Sequence, residues 1–159
     1  MIRAFQPKDI QEIISIWLQC SMKSHHFIPA DYWRKQAEVV ETQYLPKAQN
    51  LIWEDKGKIK AFASLLDEGF LGALFVEESA QSRGIGRALM FELQKNNSKL
   101  SLTVYAKNSK AIRFYHGCGF QILKEMPDEA TGELQLLMCW HKGNIAGDLI
   151  YHYSRSIDS

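Results

Sequence analysis

The stretch Glu77–Met90, EESAQSRGIGRALM, decides the fold. An apolar run, FLGALFV (70–76), comes just before it, and Ile85, Leu89 and Leu93 recur at i, i+4 and i+8 within and after it. The first pattern reads as a strand and the second as one face of a helix running to about Asn96. The handover falls at Gly84-Ile85-Gly86, flanked by Arg83 and Arg87. A further strand, LSLTVY (100–105), follows the helix. Strand, helix and strand across residues 70–105 make a βαβ unit, which predicts that these two strands run parallel in an otherwise antiparallel sheet.

Working outward, NLIWE, DKGK, IKAFASLL and DEGF (50–70) alternate strand and turn, and the short turns make the strands antiparallel neighbours. Upstream, IRAFQ (2–6) reads as a strand ended by Pro7, and Asp9 with Glu12 resembles a capping box. Ile10, Ile13, Ile14, Trp17 and Leu18 then share one helical face that fades at CSMKSHHFIP (20–29). Pro29 is expected near the start of a second helix reaching about Tyr44. Downstream, NSKAIRFYHGCGF (108–120) predicts a short helix closed by Gly117 or Gly119, and FQILKEM and ELQLLMCW a final strand pair. The order β-α-α-β-β-β-α-β-α-β-β predicts an α/β (α+β) fold. It has a mixed, mostly antiparallel sheet of six to seven strands with helices on both faces. Residues 1–142 are read as one domain, and 143–159 as a docked extension or a mobile end.

Composition narrows the function classes. The chain has 159 residues, 46% hydrophobic and 23% charged, with a net charge of +1. That balance argues against a nucleic-acid binder working by bulk attraction. No window approaches the roughly 18 apolar residues of a membrane span, and the N-terminus lacks a signal-peptide core. Cys20, Cys118 and Cys139 are odd in number and far apart, which points to a reduced cytoplasmic compartment.

Three phosphate-binding designs compete for the Gly-Ile-Gly segment. A Walker loop needs GxxxxGK[ST], which is absent. A dinucleotide fingerprint started at Gly84 would need a third glycine where Leu89 stands. The third design seats a pyrophosphate on the unpaired first-turn amides of a helix. Glycines at 84 and 86 would let it approach, and Arg83 and Arg87 would add charge. Against it stands a plain glycine-eased turn with solvated arginines.

Gln81-x-x-Gly84-x-Gly86 after a strand, followed by Asn108-x-x-Ala111-x-x-x-Tyr115, resembles the GNAT superfamily of acyl-coenzyme A-dependent N-acetyltransferases. The resemblance covers roughly residues 1–142 and is greatest for small single-domain bacterial members of the YiaC type. It implies acetyl-CoA as co-substrate and a bulged fourth strand splayed from the fifth, with pantetheine pairing to Phe75 and Val76. It further implies a pyrophosphate on the amides of Gln81, Arg83, Gly84, Ile85, Gly86, Arg87 and Ala88. Asn108 and Ala111 would meet the coenzyme, although Asn108 is equally read as a helix cap. Lys110 and Arg113 are weaker candidates for the 3′-phosphate.

The same resemblance makes Tyr115 the acid that protonates the leaving thiolate; the alternative is a core tyrosine. Amines near pKa 10 also need a base. Where many relatives carry a glutamate, five residues before the asparagine, this chain has Thr103. Glu77 is then the nearest carboxylate by topology, with Glu68 and Tyr105 as further candidates. His25, His26, Phe27, Tyr32 and Trp33, between the first helices, form either an aromatic wall for the acceptor, shared with Tyr105, or a core staple. Adjacent histidines without an i, i+4 or cysteine partner give no metal site.

The expected reaction is direct acetyl transfer to a primary amine, a protein lysine or N-terminal amine ahead of a small molecule, by a monomer or homodimer. Two rivals stand beside it: a toxin-type relative acting on charged tRNA, and a non-catalytic coenzyme sensor.

Overall fold

The computed structural model describes residues 1–143; from residue 144 the expected tail lies outside the described residues. Seven strands and four α-helices follow one another in the expected order among the described residues, in two compact units, Met1–Leu93 and the segment from Gln94 on. Among these residues no helix is long and apolar enough to cross a membrane.

In the first unit β1 (Ile2–Ala4), β2 (Gln49–Asp55), β3 (Lys58–Leu66) and β4 (Phe70–Val76) pair antiparallel in chain order. The β2–β3 turn places Lys56 and Gly57 at φ 52° and 78°. Two successive positive φ values match the twist of a tight hairpin. β4 carries the expected bulge: Ser64 faces Ala73 and Leu65 faces Leu71, leaving Gly72 with no opposite residue. A Cβ on Gly72 would come within 3.1 Å of Leu66 Cδ1.

Helix α1 (Ile10–Ser24) lays Ile13, Ile16 and Trp17 into the core and packs on β3 and β4. It runs beyond the apolar run that ends at Leu18, and buries Ser21. The expected capping box is not formed. The Asp9 carboxylate instead accepts from the Gln6 backbone N–H at 2.8 Å and binds Arg3, while Glu12 accepts from Ile59 N–H at 3.4 Å. Helix α2 (Ala30–Val39) starts after Pro29 and continues as a π turn to Tyr44. Trp33 of α2 meets Trp17 edge-on at 5.8 Å.

Helix α3 (Ile85–Asn96) is fixed at its first turns. Ile85 and Leu89 pack with Ala61 and Ala80, bordered by Leu74 and Val76 of β4. Burying each of the two side chains contributes about 1.5–3 kcal/mol. The start of α3 is therefore anchored to the sheet that ends at Val76.

The second unit holds β5 (Lys99–Tyr105), α4 (Ser109–Gly117), β6 (Gln121–Pro127) and β7 (Leu134–His141), with β7 antiparallel to both β5 and β6. Leu100, Leu102 and Val104 are buried on one face of β5. Strand alternation puts Ser101, Thr103 and Tyr105 on the other. After α4 it is Gly119, at φ 97°, that takes the left-handed conformation, with Trp140 Cδ1 3.1 Å from where a Cβ would lie.

Candidate active site

In the first unit the candidate residues cluster where β4 becomes α3. The Gln81 side-chain amide donates to Val76 O at 2.9 Å, and the Cys20 thiol of α1 approaches the same oxygen at 3.4 Å. Gly84 takes φ 81° and its carbonyl accepts the Ala88 N–H at 3.0 Å, the first full helical bond. Helix geometry leaves the amides of Ile85, Gly86 and Arg87 without intrahelical acceptors. Nothing lies within 4 Å of a Cβ built on Gly84, so the space over that turn is open. Arg83 and Arg87 are exposed beside it, Arg83 at 3.9 Å from Asp55. Open space, unpaired amides and two guanidinium groups fit a pyrophosphate.

Glu77, at the end of β4, is engaged. It accepts from Lys60 Nζ at 3.1 Å and from the Ser79 hydroxyl at 3.0 Å, and its backbone N–H donates to Lys60 O at 2.8 Å. The Lys60 bond, then the Ser79 bond, hold its carboxyl below the usual range. A carboxylate stabilised in this way is a weak proton acceptor. Glu68 lies exposed in the β3–β4 turn at φ 60°. A cleft of about 450 Å³ opens between α1 and the segment after β4, with Gln19, Cys20, Glu77 and Gln81 among its walls. Lys23 and Glu78 pair across its rim.

The aromatic group after α1 divides. His25 is 8% exposed, its ring 5.2 Å from Trp33 and 5.8 Å from Phe27, and burial lowers its pKa from 6.5 to about 4. Its burial and its contact with Trp33 fit the staple between α1 and α2. His26 is exposed against the half-buried Phe27, and Tyr32 is half-buried against Trp33. Those three keep surface to offer.

In the second unit Asn108 caps α4: its side-chain oxygen accepts the Ala111 N–H at 3.2 Å. Lys110 and Arg113 are exposed on the helix. Tyr115 lies between Phe114 and Phe120, ring centroids 5.4 and 5.7 Å away. Desolvation, then the neighbouring Cys118, raises its pKa above that of an ordinary phenol. The group stays protonated and is suited to donate. Tyr105, 8% exposed, donates its hydroxyl proton to Asp128 Oδ2 at 2.6 Å. Asp128 and Lys60 are not foreseen in the sequence, and Cys20 figures there only as one of three separated thiols. No spacing rule links Asp128 to Tyr105 or Lys60 to Glu77, because each contact depends on strand register.

Residues 19–140 match the family model described as an acetyltransferase (GNAT) domain. The chain belongs to the GNAT acetyltransferase family. This GNAT chain is 40% identical over 140 residues to the peptidyl-lysine N-acetyltransferase YiaC of Escherichia coli, covering 88% of the chain and 96% of that protein. The solution structure of apo-form YjaB from E. coli superimposes with a TM-score of 0.77 at 23% identity, covering 88% of this chain and 96% of that one. The structure of yncA, a putative acetyltransferase from Salmonella typhimurium with its cofactor acetyl-CoA, gives 0.64 at 19% identity, covering 92% and 95%. The fold class read from the sequence is thus the GNAT fold.

Proposed function

We propose that this GNAT protein transfers the acetyl group of acetyl-CoA directly to a primary amine, with a peptidyl lysine as the first acceptor to test. The observation that carries the reading is the opening over Gly84 and the first turn of α3, where unpaired amides and flanking arginines suit a pyrophosphate. The name of the 40% identical relative supports the lysine acceptor. Phe75 and Val76 offer main-chain groups to the pantetheine arm, and the Val76 N–H polarises the thioester carbonyl. Asn108 and Ala111 border the coenzyme from the start of α4. Tyr115 gives its proton to the departing thiolate. Phe27, His26 and Tyr32 meet the acceptor, and Glu77 orders the segment after β4 through Lys60 and Ser79. The reaction is assigned to the cytoplasm, consistent with the free thiols of Cys20, Cys118 and Cys139.

The test is acetyl-CoA-dependent release of free thiol against lysine peptides, N-terminal peptides and small amines. Release that requires a lysine peptide establishes the reaction and acceptor class together. Release with small amines alone reassigns the acceptor. Coenzyme binding without release from any amine removes the enzymatic reading.

A further inference from the structure

Tyr105 and Asp128 form a phenol–carboxylate contact that the reading above leaves without a task. The hydroxyl points its hydrogen at Asp128 Oδ2 over 2.6 Å, short for such a bond and strengthened by the carboxylate charge. With its hydrogen so committed, the phenol oxygen presents only lone pairs to anything else that approaches. Such an oxygen accepts from an amine N–H, directly or through one water.

Asp128 is itself held in place. Its other oxygen accepts the Ala130 N–H at 3.1 Å, its N–H donates to Glu133 O at 2.8 Å, and its carbonyl accepts from Gly132 N–H at 2.7 Å. The turn between β6 and β7 therefore fixes the carboxylate while β5 fixes the phenol. The Lys107–Glu133 ion pair, at 3.2 Å, joins the same two segments. Tyr105 shares its strand face with Thr103, which carries no titratable group, and precedes Asn108 at the start of α4. Glu77 is tied to Lys60, and Tyr115 keeps its proton. The Tyr105–Asp128 pair combines an accepting oxygen with a fixed proton sink.

We infer that Tyr105 and Asp128 act together as the base of the acetyl transfer, with Tyr105 meeting the amine and Asp128 as the positioning residue that takes the relayed proton. The inference rests on the acetyltransferase reading. As the C–N bond forms, the nitrogen becomes cationic and far more acidic than the parent ammonium. One N–H proton passes to the Tyr105 oxygen while the phenolic proton moves to Asp128 Oδ2. The C–S bond breaks and the thiolate takes its proton from Tyr115; Asp128 then returns its proton to solvent and Tyr115 regains one from it, which restores both groups. No oxidant or further reactant is needed.

The test is the pH dependence of kcat and kcat/KM for thiol release with a lysine peptide, comparing the wild type with Tyr105→Phe, Asp128→Asn, Asp128→Glu and the Tyr105→Phe/Asp128→Asn double variant. Acetyl-CoA affinity and Tm are measured alongside. The first two variants are each expected to lose roughly 10²-fold in kcat near pH 7. The loss should narrow as rising pH lets hydroxide take the proton that the pair otherwise removes from the cationic nitrogen. The double variant should be no worse than either single one, since the pair acts as a unit, and Asp128→Glu should recover part of the rate.

Wild-type kcat in Tyr105→Phe at every pH would overturn the inference. So would a pH-independent loss confined to KM or Tm, which would make the contact a brace for the β6–β7 turn. Tyr105→Phe leaves the turn's own bonds intact, so the test survives an unstable Asp128 variant. A wild type that releases no thiol with any amine overturns the acetyltransferase reading itself, a result distinct from an active wild type with unaffected variants.

Discussion

A phenol set between Phe114 and Phe120 keeps its proton, whereas a carboxylate bonded to Lys60 and Ser79 readily gives its proton up. Tyr115 is the donor in the proposed reaction, and Tyr115→Phe is expected to lower kcat by roughly 10²-fold with acetyl-CoA affinity retained. Steady-state kinetics with parallel calorimetry check this, and an unchanged kcat removes Tyr115 from the chemistry. His25 governs a stability effect instead. Its pKa falls from 6.5 to about 4, so the unfolded chain binds a proton that the folded chain refuses. The stabilising contribution is complete above about pH 6.5 and declines as pH falls toward 4, by at most about 1.4 kcal/mol per unit. Urea unfolding at pH 7.5, 6 and 5 should show that slope, and His25→Phe should flatten it. An identical slope in the variant would place the titration elsewhere.

At the scale of elements, the passage from β4 to α3 rests on backbone conformations that side chains tolerate poorly. Gly84 sits at φ 81° in open space, so Gly84→Ala meets no clash and bears only the left-handed strain, about 1 kcal/mol. Gly86→Glu should fold normally and lose acetyl-CoA binding, because a carboxylate would occupy the first turn of α3. Coenzyme binding that survives in Gly86→Glu would move the pyrophosphate elsewhere. Periodicity located α3 and the hairpins well, since burial on one face writes itself into the apolar spacing. It also placed the start of α1 at Ile10, but the Asp9–Glu12 capping box expected there does not form. Arg3 and Gln6 both claim Asp9, and a contact across 51 residues, from Arg3 to Glu54, completes that network. The local structure of the candidate site was legible in the same uneven way. Its glycines and Asn108 act through local backbone geometry, whereas Asp128 and Lys60 reach their partners only through strand register.

Across the whole molecule, the Arg3 network is the feature that joins distant chain. Arg3 contacts both Asp9 oxygens at 2.8 and 3.0 Å and Glu54 at 3.2 Å, with Asp9 only 3% exposed. The Arg3 bond, outweighing desolvation, keeps the Asp9 pKa below its usual value. This stabilisation is complete above about pH 4 and is lost as pH falls through the depressed pKa. Asp9→Ala should cost about 3 kcal/mol in urea unfolding at pH 7, because Arg3 loses its most buried partner. A loss under about 1 kcal/mol would show that Glu54 suffices. The segment after β4 has a consequence of another kind. Gln81 is bonded to Val76, and Glu77 to Lys60 and Ser79, by contacts wholly within the chain. Chain entropy there is surrendered during folding rather than on capture. Association at the proposed seat should therefore be a single fast exponential with no slow ordering phase, and loosening Gln81 should make capture entropically costlier without removing any donor that touches the ligand.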